Sequence, residues 1–206
     1  YRRGRSEDKV KSIIRSIPVR VTIQNVVASA RLKHRIDLKA IVRAFPNVKY
    51  RPEVFPGLPF KLKNPKSCTL LFDSGSMVCT GTKGEREARR AILEVVRELR
   101  EAGIAIRGEP EFTIQNIVAS ADLDDATIDV EELVYAAHRL GVKVMYEPEQ
   151  FPGAIYRMED PKVVFLIFST GKLVCTGAKR EEEVYRAVEK LVTILDENGL
   201  IVRGSR

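Results

Sequence analysis

The chain has 206 residues, of which 44% are hydrophobic, and a formal net charge of +7. This composition excludes a wholly disordered chain, and no apolar run approaches the roughly 20 residues of a membrane-spanning helix. Three cysteines do not make a disulfide framework, and the basic start lacks an apolar signal core, so we expect a reducing, intracellular location and no membrane partner.

The charge is divided unevenly along the chain. Residues 19–108 contain 18 basic and 8 acidic residues, whereas residues 109–206 contain 11 basic and 18 acidic ones. A basic half suits a polyanion, and an acidic half would repel one unless it meets a different partner. Surface charge also drifts without function, so the asymmetry alone leaves both interpretations open.

The chain contains two copies of one unit. Three motifs occur twice: IQNVVAS at 23–29 and IQNIVAS at 114–120, YRPEVFPG at 50–57 and YEPEQFPG at 146–153, and MVCTG at 77–81 and LVCTG at 173–177. The offset grows from 91 to 96, which places five added residues between Ala119 and Tyr146. We therefore predict a first repeat over 18–108 and a second over 109–206, preceded by a basic extension over 1–17.

Each copy is predicted to begin with a strand and a short helix. The first strands are expected over 19–28 and 112–119, which are rich in β-branched residues. Asp37 and Asp129 are the expected N-caps of the short helices, with Glu132 at the capping-box position of the second. These helices are expected to end near Pro46 and at Gly141.

Short strands and a longer helix follow in each copy. Residues 68–72 and 163–168 are typical of buried strands, and the turns 73–75 and 169–171 lead into the next strands. The closing helices carry apolar stripes at Ala88, Ala91, Ile92, Val95, Val96 and Leu99, and at Val184, Val188, Leu191 and Leu195. Thr82 and Glu85 suggest a capping box for the first closing helix, and Gly103 and Gly199 predict the two stops.

Alternation along the strands leaves one apolar face without a cover. The predicted face consists of Val27, Leu70, Phe72, Val78 and Thr80 in the first copy and of Val118, Leu166, Phe168, Val174 and Thr176 in the second. The opposite face is apolar too, at Leu71, Cys79, Ile167 and Cys175, and four helices cover only one side of about ten strands. An uncovered apolar face indicates a binding surface, although a closed sandwich of two sheets is the alternative.

Polar residues in this face narrow the choice of ligand. Asn25 and Asn116 lie mid-strand, where asparagine is depleted and costly to bury without partners. A few donors in an apolar field suit a ligand with sparse acceptors.

Cys68 and Cys79 are predicted on opposite faces of neighbouring strands, which excludes an unstrained disulfide between them. The cysteines show no metal-ligand spacing.

These motifs together resemble the TATA-box-binding protein family over about residues 18–200. The resemblance rests on the QN(V/I)VAS pair, the YxPExFPG pair, IYRM, LIFSTGKLVCTGAK, and the equal Phe55–Phe72 and Phe151–Phe168 spacings. FPG in both copies favours the archaeal branch. The resemblance implies an α+β saddle of two pseudo-symmetric repeats, with a continuous, curved antiparallel sheet of about ten strands and four helices on its convex face.

The resemblance also implies a function. Members of this family are a standard example of proteins that wedge open and bend DNA from the minor groove. The chain is therefore expected to be a general transcription initiation factor, without cofactor or catalysis, that binds the TATA box of double-stranded promoter DNA. Transcription factor B and the RNA polymerase pre-initiation complex are the implied protein partners. The implied location is the cytoplasm, associated with the nucleoid, or the nucleus if the source is eukaryotic.

The resemblance assigns roles to residues of both copies. The wedges are Phe55, Phe72, Phe151 and Phe168. The groove-facing donors are Asn25 and Asn116, beside Thr80 and Thr176, in an apolar surface of Val27, Val78, Val118 and Val174 together with Leu70 and Leu166. The phosphate contacts are Lys61, Lys83, Arg157, Lys172 and Lys179, and the surface for transcription factor B includes Glu147, Glu149 and Gln150. Ser76 stands where the second copy has Lys172, which suggests that one phosphate contact is lost.

Two other classes of function compete with this one. An enzyme is disfavoured because His34 and His138 occupy non-equivalent places in the repeats, and Asp124 and Asp125 have no partners at metal-ligand spacing. An RNA- or single-strand-binding module would use aromatic residues for stacking, but the phenylalanines are predicted at strand ends rather than mid-sheet. An accessory domain of a nucleic-acid enzyme is the remaining alternative.

Overall fold

The computed structural model describes residues 9–14 and 17–204. Its helices are α1 (Leu38–Ala44), α2 (Glu85–Glu101), α3 (Val130–Leu140) and α4 (Glu181–Glu197). Its strands are β1 (Lys9–Ile14), β2 (Ile17–Arg31), β3 (Leu58–Lys63), β4 (Lys66–Leu71), β5 (Ser76–Thr82), β6 (Glu111–Asp122), β7 (Ala126–Ile128), β8 (Lys143–Met145), β9 (Ala154–Met158), β10 (Val163–Ile167), β11 (Lys172–Ala178) and β12 (Ile201–Arg203). No helix in the described residues is long and apolar enough to span a membrane.

The chain divides into two compact units, each of which is built mainly from one copy of the repeat. The first-copy unit comprises residues 25–116, and the second-copy unit comprises the described residues up to 24 and those from 117 onward. Both boundaries fall inside long strands. The boundary in β2 lies between Gln24 and Asn25, and the boundary in β6 lies directly after Asn116. The first strand of each repeat therefore contributes to both units.

The first-copy unit is an antiparallel sheet covered on one side by a helix. Its strands follow the order β3-β4-β5, and β5 pairs with residues 26–31 of β2. Helix α2 packs against β3, β4 and β5. The helix buries the predicted stripe of Ala88, Ala91, Ile92, Val95, Val96 and Leu99. The strand residues beneath it, which form the covered face of this unit, include Leu58, Phe60, Leu71, Met77 and Cys79.

The second-copy unit repeats this arrangement. Its strands follow the order β6-β11-β10-β9-β8, and α4 packs against β11. The predicted stripe of Val184, Val188, Leu191 and Leu195 is buried in α4. The covered face of this unit includes Ala154, Tyr156, Phe165, Ile167, Leu173 and Cys175. Both copies thus bury alternate strand residues under the longer helix, as the hydrophobic pattern predicts.

Three strands lie outside the predicted pattern. In the basic extension, β1 pairs antiparallel with the start of β2, in the register Lys9 to Val21. The short strands β7 and β12 form a separate two-stranded sheet, in the register Ile128 to Ile201. Within the described residues, nine strands remain without these three, against about ten predicted.

The helix ends test the predicted caps. Asp37 and Asp129 accept from the backbone N–H groups of Ala40 and Glu132 at 3.2 and 3.1 Å, so both are N-caps as predicted. The Asp129 N–H donates to Leu200 O instead of to the Glu132 side chain. The capping box predicted from Thr82 is wrong, because that residue ends β5. Its hydroxyl donates to the Val26 carbonyl across the sheet, and Gly84 is the N-cap of α2.

Candidate nucleic-acid interface

Each unit exposes the sheet face that its helix does not cover. The strand residues on this open face are only partly buried: Asn25, Val27, Leu70, Phe72, Val78 and Thr80 in the first-copy unit, and Asn116, Val118, Leu166, Phe168, Val174 and Thr176 in the second-copy unit. They alternate with residues such as Leu71 and Cys79, which are fully buried. A closed sandwich would bury both sets. The exposure of the open face therefore excludes that alternative.

The strand register brings the predicted residues together in the same way in both units. Leu70 lies opposite Val78 across β4 and β5, and Leu166 lies opposite Val174 across β10 and β11. One rung further, Thr80 and Thr176 lie opposite Cys68 and Val164. Directly opposed residues share a face and lie within contact distance. Each open face is therefore a patch of valine and leucine with a threonine at one end.

Asn25 is held in a single orientation on this face. Its Oδ1 atom accepts a hydrogen bond of 2.8 Å from the backbone N–H of Gly81. Because the oxygen is engaged by a group that can only donate, the side-chain NH₂ is the group directed to other partners. Gly81 reaches this position with φ +96, which favours glycine. The sequence predicted a donor at Asn25 but gave no signal for what fixes it.

A pair of phenylalanines lies beside each open face. The ring centroids of Phe55 and Phe72 are 6.1 Å apart with an interplanar angle of 71°, and those of Phe151 and Phe168 are 5.9 Å apart at 70°. Phe55 and Phe151 are 46% and 41% exposed, unlike core phenylalanines. Phe72 and Phe168 directly follow β4 and β10. The structure therefore forms two equivalent edge-to-face pairs at strand ends.

The glycine of each FPG motif makes this pairing possible, a role that the sequence analysis did not assign. A Cβ atom on Gly57 would lie 2.6 Å from the Phe55 ring and 3.1 Å from the Phe72 ring. On Gly153 it would lie 2.8 Å from the Phe151 ring and 3.1 Å from the Phe168 ring. Any other residue would have to displace a ring. The signal was present in the sequence as a glycine two residues after Phe55 and after Phe151.

The predicted phosphate-binding residues are all exposed on or next to the open faces. Lys61 pairs with Cys68, and Arg157 pairs with Val164, on strands that contribute to these faces. Lys172 begins β11, and Lys83 and Lys179 directly follow β5 and β11. The exposed residues of this group are Lys61, Lys83, Arg157, Lys172 and Lys179. Their placement puts positive charge around both apolar patches.

The predicted surface for transcription factor B is an exposed turn before β9. Glu147, Glu149 and Gln150 are all exposed. The backbone N–H groups of Gln150 and Phe151 both donate to the Glu147 carbonyl at 3.0 Å, which closes the turn. The corresponding turn of the first copy is closed in the same way by Arg51. The two turns thus share a backbone arrangement but present different charges.

The environments of the three cysteines and of His34 indicate structural roles. Burial raises the pKa of the Cys175 thiol to about 12 and raises those of Cys68 and Cys79. All three cysteines are free, and Cys68 and Cys79 lie on opposite faces as predicted. His34 Nε2 accepts from the backbone N–H of Arg107 at 2.9 Å. Within residues 9–14 and 17–204, no cluster of His, Cys, Asp and Glu has a metal-binding arrangement.

These features define an antiparallel α+β protein with two copies of one unit, each of which has an open apolar face beside an aromatic pair. The model of the family described as "Transcription factor TFIID (or TATA-binding protein, TBP)" matches residues 20–102 and 111–198. The chain is 49% identical over 171 residues to the TATA-box-binding protein of Sulfurisphaera tokodaii, covering 83% of this chain and 84% of that relative. It is 46% identical over 183 residues to that of Archaeoglobus fulgidus, covering 88% and 98%.

A solved structure shows the same fold. The structure of Methanococcus jannaschii TBP matches with a TM-score of 0.74 and 44% sequence identity, over 86% of this chain and 98% of that one. The chain therefore belongs to the TATA-binding protein family. The resemblance stated from the motifs and the α+β fold class are confirmed, including the archaeal relationship. Membership identifies a DNA-binding transcription factor and not an enzyme.

Proposed function

We propose that the open faces bind the TATA box of promoter DNA in the minor groove, and that the chain acts there as a general transcription initiation factor. The observation that carries this proposal is the repeated face itself. Two units present the same exposed set of asparagine, valine, leucine and threonine beside the same phenylalanine pair. Family membership supports promoter DNA as the ligand. A nucleoid-associated location in the cell is part of the proposal.

The composition of the open face fits the minor groove of A·T pairs. Such pairs present only acceptors there, whereas G·C adds the guanine amino donor. Asn25 directs its NH₂ group outward because its oxygen is occupied by Gly81. Hydrocarbon at Val27 and Val78 cannot accept from a guanine amino group, which would lose its hydrogen bond to water. We expect strong preference for A·T over G·C and weak discrimination between A·T and T·A.

The phenylalanine pairs supply the proposed kinks. An aromatic edge inserted between base pairs breaks their stacking, which costs a few kcal/mol per step. Phe55 and Phe151 are already exposed, and each is backed by a second ring. The rings therefore need no unfolding of the core to reach a base step. TA steps deform at low cost, so sequence-dependent flexibility adds to the preference for TATA sequences.

Phosphate contacts by the surrounding cations supply the remaining affinity. The cations Lys61, Lys83, Arg157, Lys172 and Lys179 surround apolar patches that cannot themselves neutralise phosphate. Each phosphate neutralised releases counterions, so the logarithm of the binding constant should fall steeply and linearly with the logarithm of salt concentration. A flat plot would contradict this part of the proposal.

The most direct test compares TATA duplexes with one central A·T pair replaced by G·C. We expect the replacement to weaken binding by about 1–3 kcal/mol, because the guanine amino group meets hydrocarbon. Exchange of A·T for T·A at the same position is the matched control and should change little. Equal affinity for all three duplexes, or tighter binding of single-stranded RNA in competition, would overturn the proposal.

The acidic turn of the second copy is proposed to recruit transcription factor B and, through it, RNA polymerase. Glu147 and Glu149 are exposed, whereas the equivalent first-copy positions carry Arg51 and Glu53. This difference would help to orient the complex on a nearly symmetric site. Charge reversal at Glu147 and Glu149 should weaken the ternary complex with transcription factor B and spare DNA binding. Equal loss of both would exclude this docking surface.

A further inference from the structure

One rung of the open face carries its charge on different strands in the two copies. In the first copy Arg31 on β2 pairs with Ser76 on β5. In the second copy Asp122 on β6 pairs with Lys172 on β11. Directly opposed residues of antiparallel strands share a face, with Cβ atoms about 4.5–5.5 Å apart. The cation of this pair is therefore on β2 in the first copy and on β11 in the second. Arg31 lies opposite Ser76, the position equivalent to Lys172.

This rung lies next to the proposed wedge. The backbone N–H of Phe72 donates to the Ser76 carbonyl at 3.0 Å, and the Phe168 N–H donates to the Lys172 carbonyl at the same distance. In the second copy, Phe168, Asp122 and Lys172 line one shallow depression of 460 Å³ together with Ser120 and Val174. A cation at this rung is thus placed where the DNA backbone would pass a kinked step.

The segment that carries Arg31 is fixed against the turn after Phe72. The Leu32 N–H donates to the Gly75 carbonyl at 3.0 Å, and the Ile36 N–H donates to the Asp73 carbonyl at 3.0 Å. Gly75 has φ +94, and a Cβ there would lie 2.3 Å from the His34 carbonyl oxygen. This close approach requires glycine, and it holds the end of β2 in place.

Among the described residues, Arg31 is the cation of this segment without an acidic partner. Lys33 lies 3.5 Å from Glu111, and Arg35 lies 3.1 Å from Asp73. Within the described part of the chain, Arg31 forms no ion pair within 4.0 Å, and its side chain is exposed. It lines a depression of 490 Å³ with Lys33, Arg35, Ser74 and Glu111, the acidic residue that pairs with Lys33. The carboxylates of Glu111 and Asp73 offset the charges of Lys33 and Arg35, whereas no described carboxylate lies within 4.0 Å of the Arg31 guanidinium.

We propose that Arg31 binds a DNA phosphate at the first-copy end of the duplex, in place of the lysine that is missing at position 76. The inference rests on the proposed function, since it presupposes DNA on the open face. A guanidinium can hold a phosphate through two parallel hydrogen bonds, which a lysine cannot. The phosphate contact at this rung is therefore supplied by β2 in the first copy and by β11 in the second.

The test measures binding of a TATA duplex to the full chain at a series of salt concentrations. Arg31→Ala should weaken binding by roughly tenfold. It should also lower the slope of log K against log salt by about 0.9, the value for one phosphate contact on duplex DNA. Arg31→Ala combined with Ser76→Lys should recover both, because it moves the cation to the strand that carries it in the second copy. Arg90→Ala, an exposed cation on α2, is the control that should change neither.

The outcomes separate this inference from the proposed function. If the wild-type chain does not prefer TATA over its G·C-substituted duplex, the proposed function fails and the inference fails with it. If the wild type prefers TATA but Arg31→Ala keeps the wild-type slope, only the inference is overturned. Loss of affinity in Arg31→Ala that Ser76→Lys does not restore also overturns it, since the effect would then arise from the local structure and not from the charge.

Discussion

The open and covered faces differ in how closely the two copies agree. On the open face the copies carry the same residue at Asn25 and Asn116, Val27 and Val118, Leu70 and Leu166, Phe72 and Phe168, Val78 and Val174, and Thr80 and Thr176. On the covered face they differ at Ser67 and Val163, Thr69 and Phe165, Thr82 and Ala178, and Leu58 and Ala154. The better-buried face is the more variable one.

This contrast separates the requirements of folding from those of binding. A covered face tolerates many combinations of side chains provided that the total volume is retained. The open face contributes less burial, so packing demands less of its residues. Agreement between the copies on that face is therefore what the proposed contact with DNA would require. The same backbone accommodates three buried hydroxyl groups in the first-copy unit, at Ser67, Thr69 and Thr82, and apolar side chains at the equivalent positions of the second-copy unit.

The largest expected effect is the loss of DNA affinity when one of the phenylalanines that the two copies share is removed. Phe72→Ala or Phe168→Ala should each cost about 2–3 kcal/mol of TATA binding and reduce the bend, because an aromatic contact at the kink is lost. Tyr135→Ala removes an aromatic residue that is 83% exposed on α3 and is the matched control. Fluorescence measurements of affinity and of end-to-end DNA distance check this prediction. A similar loss in the control would show that the effect is not local to the wedges.

A change of polarity at covered-face positions should alter stability and leave DNA binding intact. Within the described residues, the Thr69 hydroxyl is buried and makes no hydrogen bond of ordinary geometry, so Thr69→Val should stabilise the fold by about 1 kcal/mol. Val163→Thr buries a hydroxyl in the apolar copy and should destabilise it by about 1–3 kcal/mol. Denaturant unfolding measures both. The two substitutions should change the free energy of unfolding in opposite directions. A change in the same direction for both would contradict this prediction.

A smaller effect is expected when a methyl group is placed behind an aromatic pair. Gly57→Ala and Gly153→Ala should each weaken TATA binding by about 1 kcal/mol, since the added Cβ displaces the ring of Phe55 or Phe151. Gly103→Ala is not a suitable control, because φ +87 would itself strain alanine. Ala105→Gly, at an exposed position outside the faces, serves instead. Wild-type affinity in both glycine variants would show that the rings tolerate displacement.

The smallest effect is a fall in folding stability at alkaline pH. It should depend on the thiol of the covered face more than on the thiol of the open face. Burial holds the pKa of Cys175 at about 12, above that of a thiol in the unfolded chain. Its contribution is therefore complete below pH 8.5 and is lost as the pH rises, because only the unfolded state then ionises. Stability should fall by about 1 kcal/mol near pH 9, and less so in Cys175→Ala. Cys68→Ala, on the open face, should retain most of the wild-type pH dependence.

Much of this fold could be predicted because its signals are local. The stripe from Ala88 to Leu99 and the N-caps Asp37 and Asp129 repeat at short range, and the structure confirms them. Thr82 shows the limit, since a tertiary hydrogen bond to Val26 overrode its capping pattern. The bond from Gly81 to Asn25 and the pairing of Arg31 with Ser76 join distant residues, and nothing in a single sequence reports such partners.

The small β7–β12 sheet has a consequence for how the second-copy unit opens. Ile128 pairs with Ile201, and the Asp129 N–H at the start of α3 donates to Leu200 O, just after α4. The start of α3 is therefore hydrogen-bonded to the segment that follows α4. The amide protons of Asp129 and Gly204, which donate to Leu200 O and Asp125 O, should exchange with solvent at a common rate, because both are exposed when β12 separates from β7.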